Sequence, residues 1–319
     1  MALASTVMTT DPSVDLIGSL RGVQVLEAVS AHGSFSAAAV ALGITQSAVS
    51  QQVAGLERLV SLPLVDRTVR PVALTQAGRM LVAHGGAAIA RLDRASHDLA
   101  ELAGRRGGRL RFGSFPTALT SFVPSALGRL RSRRPDVTLT VVDDHMQRLL
   151  PRLLDGQLDL ALVYEHEAFE LALRSQVTGV PLLDDRYRVV LPQRHRLTRG
   201  DAPIRLRDLA DEDWVGGTGD STWFQLVQEA CGHAGFRPRV SLTSDDYLAV
   251  QAFVSAGLGV ALLPGLAVTR RLPGVRVRDL RSGAPSRTIW AARPAEPYPP
   301  APVVEMLDVL RAVTRKYAA

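Results

Sequence analysis

The chain has 319 residues, and its length, composition and charge already exclude several classes of protein. The length favours two or more domains, and the single cysteine, Cys231, excludes an intramolecular disulfide and a multi-cysteine metal site. The N-terminal segment lacks the basic and apolar regions of a signal peptide, and no apolar run approaches the roughly 18 residues of a membrane span. We expect a cytoplasmic protein with no membrane partner, beginning with a flexible tail over residues 1–17.

The net charge of +6 is only weak support for a nucleic-acid partner, because the excess is unevenly distributed. Residues 1–75 hold four basic and five acidic side chains, whereas residues 108–319 hold 28 basic and 23 acidic ones. The basic excess therefore lies outside the N-terminal helices, and a DNA-binding function has to be argued from local patterns.

Two short helices are predicted first. Apolar residues recur at helical spacing from Leu20 to Val29, and the glycine at position 33 ends that helix. Ser34 or Ser36 caps a second helix, which Gly43 stops because glycine tolerates a positive φ.

A third helix begins after Thr45, and its polar face carries Gln and Ser instead of Lys and Glu. The short turn at Gly43 and Ile44 predicts a helix-turn-helix, in which the second helix enters the DNA major groove. Gln can pair with adenine and Ser with several base edges, while Arg binds phosphate. The predicted DNA contacts are Ser34, Thr45, Gln46, Ser47, Ser50, Gln51, Arg58, Arg67 and Arg70.

Two short strands around a turn, over residues 63–67 and 70–74, predict a wing behind this helix. The wing places Arg67 and Arg70 near a DNA backbone or a minor groove. The alternative is that the Gln- and Ser-rich helix is only a solvated surface of a small helical bundle.

A long helix is predicted from Thr75 to about residue 103. Two apolar series step by seven along it, one through positions 74, 81, 88, 95 and 102 and one through positions 78, 85, 92 and 99. This spacing is typical of a coiled-coil seam between two copies of a chain. Gly85 and Gly86 weaken the middle by roughly 1 kcal/mol each relative to Ala. The alternative is a helix buried against its own domain.

After a glycine- and arginine-rich linker over 105–108, strands and helices alternate, which is typical of a parallel sheet with crossover helices. The predicted strands cover 109–113, 137–142, 158–163, 187–191, 214–215, 239–242, 260–263, 275–279 and 288–292. The predicted helices run from Ser114 to about 134 and over 146–155, 222–234, 247–256 and 302–316.

Three segments carry a family resemblance. Residues 20–83 contain LEAVSAHGSFSAAAVALGITQSAVSQQVAGLERLVSLPLVDRTV and ALTQAGRMLV, residues 153–163 read LLDGQLDLALV, and residues 252–264 read AFVSAGLGVALLP. Together they resemble the LysR-type transcriptional regulators of bacteria. Two positions depart from the family pattern: Val40 stands where an acidic residue is common, and Gln52 where a basic one is common.

The resemblance implies a multidomain fold class: an α-rich winged helix-turn-helix, a long linker helix, and a two-lobed α/β effector domain of the periplasmic-binding-protein type. It implies a homodimer or homotetramer that binds double-stranded promoter or operator DNA, with RNA polymerase as a further partner. A small-molecule effector would alter DNA binding or bending. The expected domains are 18–74 for DNA binding, 75–104 for the dimerisation helix, and 109–319 for the effector domain, with lobe one at 109–180 and 266–319 and lobe two at 181–265.

The effector site is predicted at strand ends and helix starts, where ligands bind in open α/β sheets. The candidate residues are Ser114, Phe115, Pro116, Thr117, Asp143, Asp144, Thr218, Ser221, Asp245, Asp246 and Tyr247. The alternative is that several of them only cap helices. Helix N-termini favour an anion such as a carboxylate, whereas the four Asp residues favour a cation, a polyol or other hydrogen-bond donors, and a zwitterion would satisfy both. The two chain crossings between the lobes are expected near 178–182 and 264–268.

Enzymatic alternatives find little support in the sequence. The seven histidines show no paired metal-ligand spacing, and the nucleophile-elbow, P-loop and dinucleotide-binding motifs are absent. We therefore expect no catalytic residues, no metal and no cofactor. Cys231 is expected to be a buried thiol. Two rival interpretations stay open: an α/β solute-binding or enzymatic domain whose N-terminal helices serve only assembly, and a nonspecific DNA binder.

Overall fold

The structure is a computed structural model, and contacts within it divide the chain into two units. The first comprises residues 1–99 with 154–157, and the second comprises residues 100–153 with 158–319. The predicted tail over 1–17 and the linker over 105–108 lie, except for their last residues, outside the described residues. The structure describes residues 17–103, 108–166, 177–219, 221–295 and 299–317.

The first unit begins with three helices, as predicted. They are α1 (Leu20–His32), α2 (Phe35–Leu42) and α3 (Gln46–Val60). Ser34, and not Ser36, caps α2, because its Oγ accepts the Ala37 N–H at 3.1 Å. Thr45 caps α3 in the same way. The buried apolar side chains of the three helices form one core, which includes Val25, Leu26, Val29, Ala38, Val49, Val53 and Leu56.

The predicted wing is confirmed, with shorter strands than expected. Strands β1 (Val65–Asp66) and β2 (Ala73–Leu74) are antiparallel, and Val65 faces Leu74. The preceding Leu64 N–H donates to the Glu57 carboxylate at 2.9 Å, so this backbone group is not free to extend the ladder. The Val72 N–H donates to the Gly33 carbonyl at 2.8 Å, which ties the other end of the wing to the end of α1.

The long helix α4 (Gln76–Leu102) is also confirmed, and its first and second halves differ in what they pack against. A Cβ on Gly85 would lie 2.6 Å from Cγ1 of Val23, so glycine is needed there for close packing inside the unit. The buried-helix alternative thus applies to the first half of α4. Farther along, Leu92 and Leu99 are 59% and 67% exposed, and these two side chains are available to a second chain.

The second unit is an α/β structure whose elements largely follow the predicted order. Its strands are β3 (Arg109–Ser114), β4 (Thr138–Asp143), β5 (Leu160–His166), β6 (Val177–Pro192), β7 (Asp213–Gly216), β8 (Arg239–Thr243), β9 (Ala261–Pro264), β10 (Val275–Arg278) and β11 (Ser286–Pro294). Its α-helices are α5 (Pro116–Leu119), α6 (Val123–Arg133), α7 (Met146–Leu154), α8 (Thr222–His233), α9 (Tyr247–Ser255) and α10 (Ala301–Thr314).

The sheet is mixed, whereas the alternating pattern predicted a parallel one. Strands β4, β3 and β5 are parallel, but β11 runs antiparallel to both β5 and β6. Beyond that point β6 pairs antiparallel with β9 and β10, and a single bridge from Trp214 to Val260 connects β7 and β8 to this second lobe. The two lobes have separate cores, one containing Phe112, Phe122 and Ile289 and the other containing Trp214, Cys231 and Leu262.

The single helix predicted from Ser114 to about residue 134 is wrong, because the chain forms α5 and α6 with a break between them. Pro124 lies at the start of α6, and its missing N–H and ring position would disrupt a continuous helix. The Ser121 hydroxyl also donates to the Thr117 carbonyl at 2.6 Å, which closes the short helix locally.

Strand β6 is much longer than the predicted 187–191, and this moves the first crossing between the lobes. It pairs with β11 up to Arg186 and with β9 from Tyr187 onward, so the change of partner lies beyond the predicted range of 178–182. Pro181 lies beside a register shift between β6 and β11, where Leu182 is left out of the pairing, and this irregularity accommodates a residue without an N–H inside the strand. The second crossing lies between β10, which pairs with β6 in the second lobe, and β11, which pairs with β5 in the first, and it is therefore beyond the predicted range of 264–268.

Among the described residues, no single helix has the length and apolar character needed to cross a membrane. Only α1 and α2 taken together pass such a test, and they are bent by 119° relative to each other.

Candidate functional site

The outward face of α3 presents hydrogen-bonding groups that are not used within the protein. A helix turns about 100° per residue, so Ser47, Gln51 and Arg58 lie opposite the buried stripe of α3. Gln46 and Gln51 are exposed, and the side-chain amide of neither makes a hydrogen bond with another residue that the structure describes. Ser50 is half-buried at the flank of this face. These amide groups are free to meet the edges of bases.

The remaining predicted DNA contacts are partly engaged inside the unit. The Oγ of Ser34 caps α2, and the Oγ1 of Thr45 accepts the Ala48 N–H at 3.2 Å. Arg58 is exposed, and its Nε donates to the Ala54 carbonyl at 3.3 Å. Arg70 is exposed in the wing.

Arg67 differs from the other two arginines because it has an acidic partner. Its Nη2 lies 3.3 Å from Oε2 of Glu57, and its guanidinium lies 5.4 Å from the centre of the Phe35 ring. The same Glu57 carboxylate accepts the Leu64 N–H. Arg67 is therefore fixed in place, and part of its charge is already balanced.

A cavity of about 290 Å³ lies within the second unit. Seven predicted effector residues line it: Phe115, Pro116, Thr117, Thr218, Ser221, Asp245 and Tyr247. Seven further lining residues were not predicted: His145, Gln147, Arg148, Tyr164, Thr222, Trp223 and Arg287. The predicted residues thus come from three of the converging segments, and the missed side chains come from strands and from the starts of α7 and α8.

Four predicted effector residues do not line this cavity. The Ser114 side chain is buried, and its Oγ donates to the Phe115 carbonyl at 3.3 Å. Asp143 is exposed at the end of β4, and Asp246 caps α9 by accepting the Leu248 N–H at 2.8 Å. The capping alternative therefore describes Asp246. Asp144 lies 2.5 Å from Nε of Arg148.

The Asp144 carboxylate is held ionised by its neighbours. Burial alone would raise its pKa, but hydrogen bonds from the Arg148 side chain and the His145 N–H outweigh burial, and its pKa is lowered. The charges of Asp144 and Arg148 thus largely balance each other at the rim of the cavity.

Arg287 is the central residue that sequence analysis missed. Its Nε and Nη2 lie 3.0 and 2.8 Å from Oδ2 of Asp185, and both side chains are almost fully buried. Its Nη2 also donates to Oγ1 of Thr117 at 2.7 Å. Burial would lower the pKa of Arg287, but Asp185 more than compensates, so its pKa is raised and the guanidinium stays charged. The pair is 102 residues apart in sequence, and no local pattern connects its members.

Asp185 also connects the first chain crossing to the segment that follows β9. Its Oδ1 accepts the N–H of Leu266 at 2.9 Å, while Asp185 itself lies in β6 beside the change of strand partner. The floor of the cavity and the junction of the lobes therefore share one buried carboxylate. At the cavity wall, Nε2 of Gln147 on α7 donates to Oγ1 of Thr222 on α8 at 2.9 Å, which connects one lobe to the other.

The described residues contain no group of three or more His, Cys, Asp and Glu side chains that could hold a metal ion. Cys231 is fully buried in the core of the second lobe, as predicted, and burial raises the pKa of its thiol to about 12.

Comparison with known proteins agrees with this architecture. Residues 103–315 match the LysR substrate binding domain, and residues 20–79 match the bacterial regulatory helix-turn-helix protein of the lysR family. CbnR, a LysR family transcriptional regulator solved alone and with its target DNA, has a similar fold with a TM-score of 0.69 at 19% identity, covering 92% of this chain and 99% of CbnR.

Two relatives illustrate the similarity in sequence. A "Probable RuBisCO transcriptional regulator" of Cyanophora paradoxa is 28% identical over 259 residues, covering 80% of this chain and 78% of the relative. A "Probable hydrogen peroxide-inducible genes activator" of Mycobacterium avium is 32% identical over 253 residues, covering 78% of each. The interpretation as a solute-binding protein or an enzyme with accessory helices is thereby excluded. The chain belongs to the LysR family of transcriptional regulators, with a helix-turn-helix and an effector-binding domain, and it is not an enzyme.

Proposed function

We propose that the chain reads a specific operator with the outward face of α3 and changes its DNA binding when a small molecule enters the cavity of the second unit. The observation that carries this proposal is the exposed, unbonded side chain of Gln51 opposite the buried stripe of α3, with the exposed Gln46 at the N-terminal tip of the helix. Polar groups without internal partners at the tip of such a helix are suited to base edges. A nonspecific DNA binder would need mainly positive charge at this surface.

The proposed roles follow the order of the chain. Residues 18–74 bind DNA, residues 75–104 form the dimerisation helix, and residues 109–319 bind the effector. Phosphate contacts fall to Arg58, Arg67 and Arg70, with Ser34 and Thr45 presenting helix N-termini to the backbone. Such a regulator works in the cytoplasm, where promoter DNA and RNA polymerase are its partners.

Self-association is proposed through the second half of α4. Leu92 and Leu99 are one heptad apart and exposed, and their contact with a second copy would remove them from water. A homodimer also suits a DNA target with two related half-sites. Pairing of two such dimers would give a homotetramer.

The effector is proposed to bind without covalent chemistry. One relative is named for hydrogen peroxide-inducible genes. Peroxide oxidises thiolates, and the only cysteine of this chain is a buried thiol with a raised pKa. Reversible occupation of the cavity, with Phe115, Thr117 and Tyr247 at its wall, is the better-supported trigger.

The test of the proposed function is selection of genomic DNA fragments by the full-length chain at near-physiological salt, followed by sequencing. We expect enrichment of a small set of fragments that share an interrupted palindrome. Uniform recovery that disappears as salt is raised would contradict sequence-specific recognition.

A further inference from the structure

The cavity contains one carboxylate whose charge is not balanced by the protein. Arg287 is paired with Asp185, and Arg148 is paired with Asp144. In contrast, Asp245 has no basic side chain within the 4.0 Å limit of an ion pair among the residues that the structure describes. A ligand that carried only negative charge would therefore leave this carboxylate without a counter-charge.

The surroundings of Asp245 fit a cationic nitrogen. Its Oδ1 accepts the Thr218 N–H at 3.1 Å and its Oδ2 accepts the Thr218 hydroxyl, which fixes the carboxylate. The Trp223 and Tyr247 rings stand edge to face with centres 5.0 Å apart. Both rings line the same cavity as Asp245, and aromatic faces attract an ammonium group.

Gly217 shows how closely these groups converge. A Cβ at this position would lie 2.4 Å from Oγ of Ser221, 2.9 Å from Cε3 of Trp223 and 3.1 Å from Oδ1 of Asp245. The hydroxyl, the indole and the carboxylate thus leave no room for a side chain at position 217 and lie close together. We regard Asp245 and Trp223, which both line the cavity, as one end of the ligand site.

The other end is formed by Arg287. Its Nε and Nη2 are used by Asp185 and Thr117, whereas Nη1 makes none of these bonds and is the nitrogen left for a molecule in the cavity. The guanidinium lies 5.1 Å from the Phe115 ring centre and 4.7 Å from that of Tyr164. A hydrogen-bond acceptor fits this end.

Tyr247 lies within electrostatic reach of both ends. Its pKa is raised, chiefly by burial, while the charge of Arg287 acts to lower it and the charge of Asp245 acts to raise it. Both charged groups therefore act on the same phenol, which lines the cavity.

We propose that the effector is an amino acid or a close derivative, with its ammonium group against Asp245 and its carboxylate or carbonyl oxygen toward Arg287. Its side chain would lie among the aromatic rings of Phe115, Tyr164 and Trp223. A volume of about 290 Å³ accommodates a molecule of this size. This inference rests on the proposed function, because it takes the cavity to be the effector site.

The experiment measures binding of the twenty proteinogenic L-amino acids to the full-length chain by calorimetry at pH 7 and fixed ionic strength. The tightest amino acid is then compared with its deaminated acid and its decarboxylated amine. We expect the deaminated acid to bind about ten- to hundredfold more weakly, the range for loss of a hydrogen-bonded charge contact. Absence of binding by all twenty, or equal binding of the deaminated acid, would overturn the proposal.

Two variants separate the role of Asp245 from a general loss of structure. In Asp245→Asn the amide oxygen can still accept the Thr218 N–H, but the charge is gone, so the amino acid should bind as weakly as its deaminated analogue. The matched control is Asp246→Asn, which retains its helix-capping ability and lies outside the cavity. An unchanged affinity in Asp245→Asn would also overturn the proposal.

DNA binding is measured on the same preparations. Retained operator specificity without preference for an amino acid would refute this inference alone. Loss of operator specificity in the unsubstituted chain would refute the proposed function.

Discussion

The proposed reading face of α3 and the proposed effector cavity hold their polar groups in opposite ways. The reading face is continuous in sequence, exposed, and leaves Gln46 and Gln51 without internal partners. The cavity collects side chains from Phe115 to Arg287, and its central guanidinium is buried and already paired. A surface that meets a large, hydrated partner can leave its polar groups to water. A cavity that meets a small molecule needs its charges fixed beforehand, because a buried charge without a partner is costly.

The largest expected effect concerns the exposed half of α4. The double substitution Leu92→Glu with Leu99→Glu places charges where a partner chain would pack, and it acts in both copies. Since a buried leucine contributes about 1.5–3 kcal/mol, sedimentation should show monomers, and operator affinity should fall with them. The control Ala83→Glu lies on the opposite face of the helix. A stable dimer in the double variant would show that α4 is not the interface.

The next largest effect is expected on the free energy of unfolding when the buried pair of Arg287 and Asp185 is broken. Arg287→Met leaves Asp185 buried without its partner, which should cost about 3–5 kcal/mol of unfolding free energy. The double variant with Asp185→Leu should recover much of that loss. Denaturant unfolding measures both, with exposed Arg186→Ala as a control expected within about 0.5 kcal/mol. A similar loss in Arg186→Ala would indicate a general fragility of β6.

A smaller effect is expected on the reading face. Gln51→Ala should lower discrimination at one base pair of each half-site by about 1–3 kcal/mol, with folding unchanged. Competition binding against operators substituted at each position measures this loss. Gln52→Ala is the matched control, since the adjacent Gln52 lies at the flank of α3. Retained preference in Gln51→Ala would mean that other side chains read the bases, and Gln46→Ala would be compared next.

Substitution of Arg58 or Arg67 should lower the affinity for DNA without altering the sequence preference. Arg58→Ala removes one phosphate contact, so fewer counterions are released on binding. The slope of log K against log salt concentration should therefore fall in magnitude by about one. Arg67→Ala should weaken binding about equally on all sequences. The charge-matched control is Arg21→Ala on α1. A loss of affinity confined to operators with particular base pairs would show instead that these arginines contact bases.

The smallest effect is expected for Cys231. Burial raises the pKa of this thiol to about 12, so the thiolate forms only at strongly alkaline pH and is scarce at pH 7. Cys231→Ala should leave operator binding unchanged, and peroxide should not alter binding by the unsubstituted chain. A peroxide response lost in Cys231→Ala would make this cysteine a sensor.

The same contrast explains how much could be predicted from the sequence. The helix-turn-helix, the wing and α4 follow from caps, turns and apolar spacing, so Ser34, Thr45 and the stripe of α3 were predicted before the structure. The loops at Thr117, Thr218 and Asp245 were predicted because chain segments that end strands meet at one edge of a sheet.

The parts of the fold and of the cavity that could not be predicted depend on contacts between residues that are distant in sequence. Nothing near Arg287 in sequence indicates Asp185 or Thr117 as partners. The length of β6 was missed because Pro181 reads as a strand breaker, although a register shift accommodates it. Asp144 and Asp246 resemble ligand groups in sequence, but one is bound by Arg148 and the other caps α9.

The most direct test of sequence-specific reading by α3 is the affinity of the full-length chain for its selected operator and for a scrambled duplex of equal length. Fluorescence anisotropy at about 150 mM salt measures both. We predict at least about a thousandfold preference for the operator, as expected of specific regulators. Equal affinities that fall together as salt is raised would contradict the account.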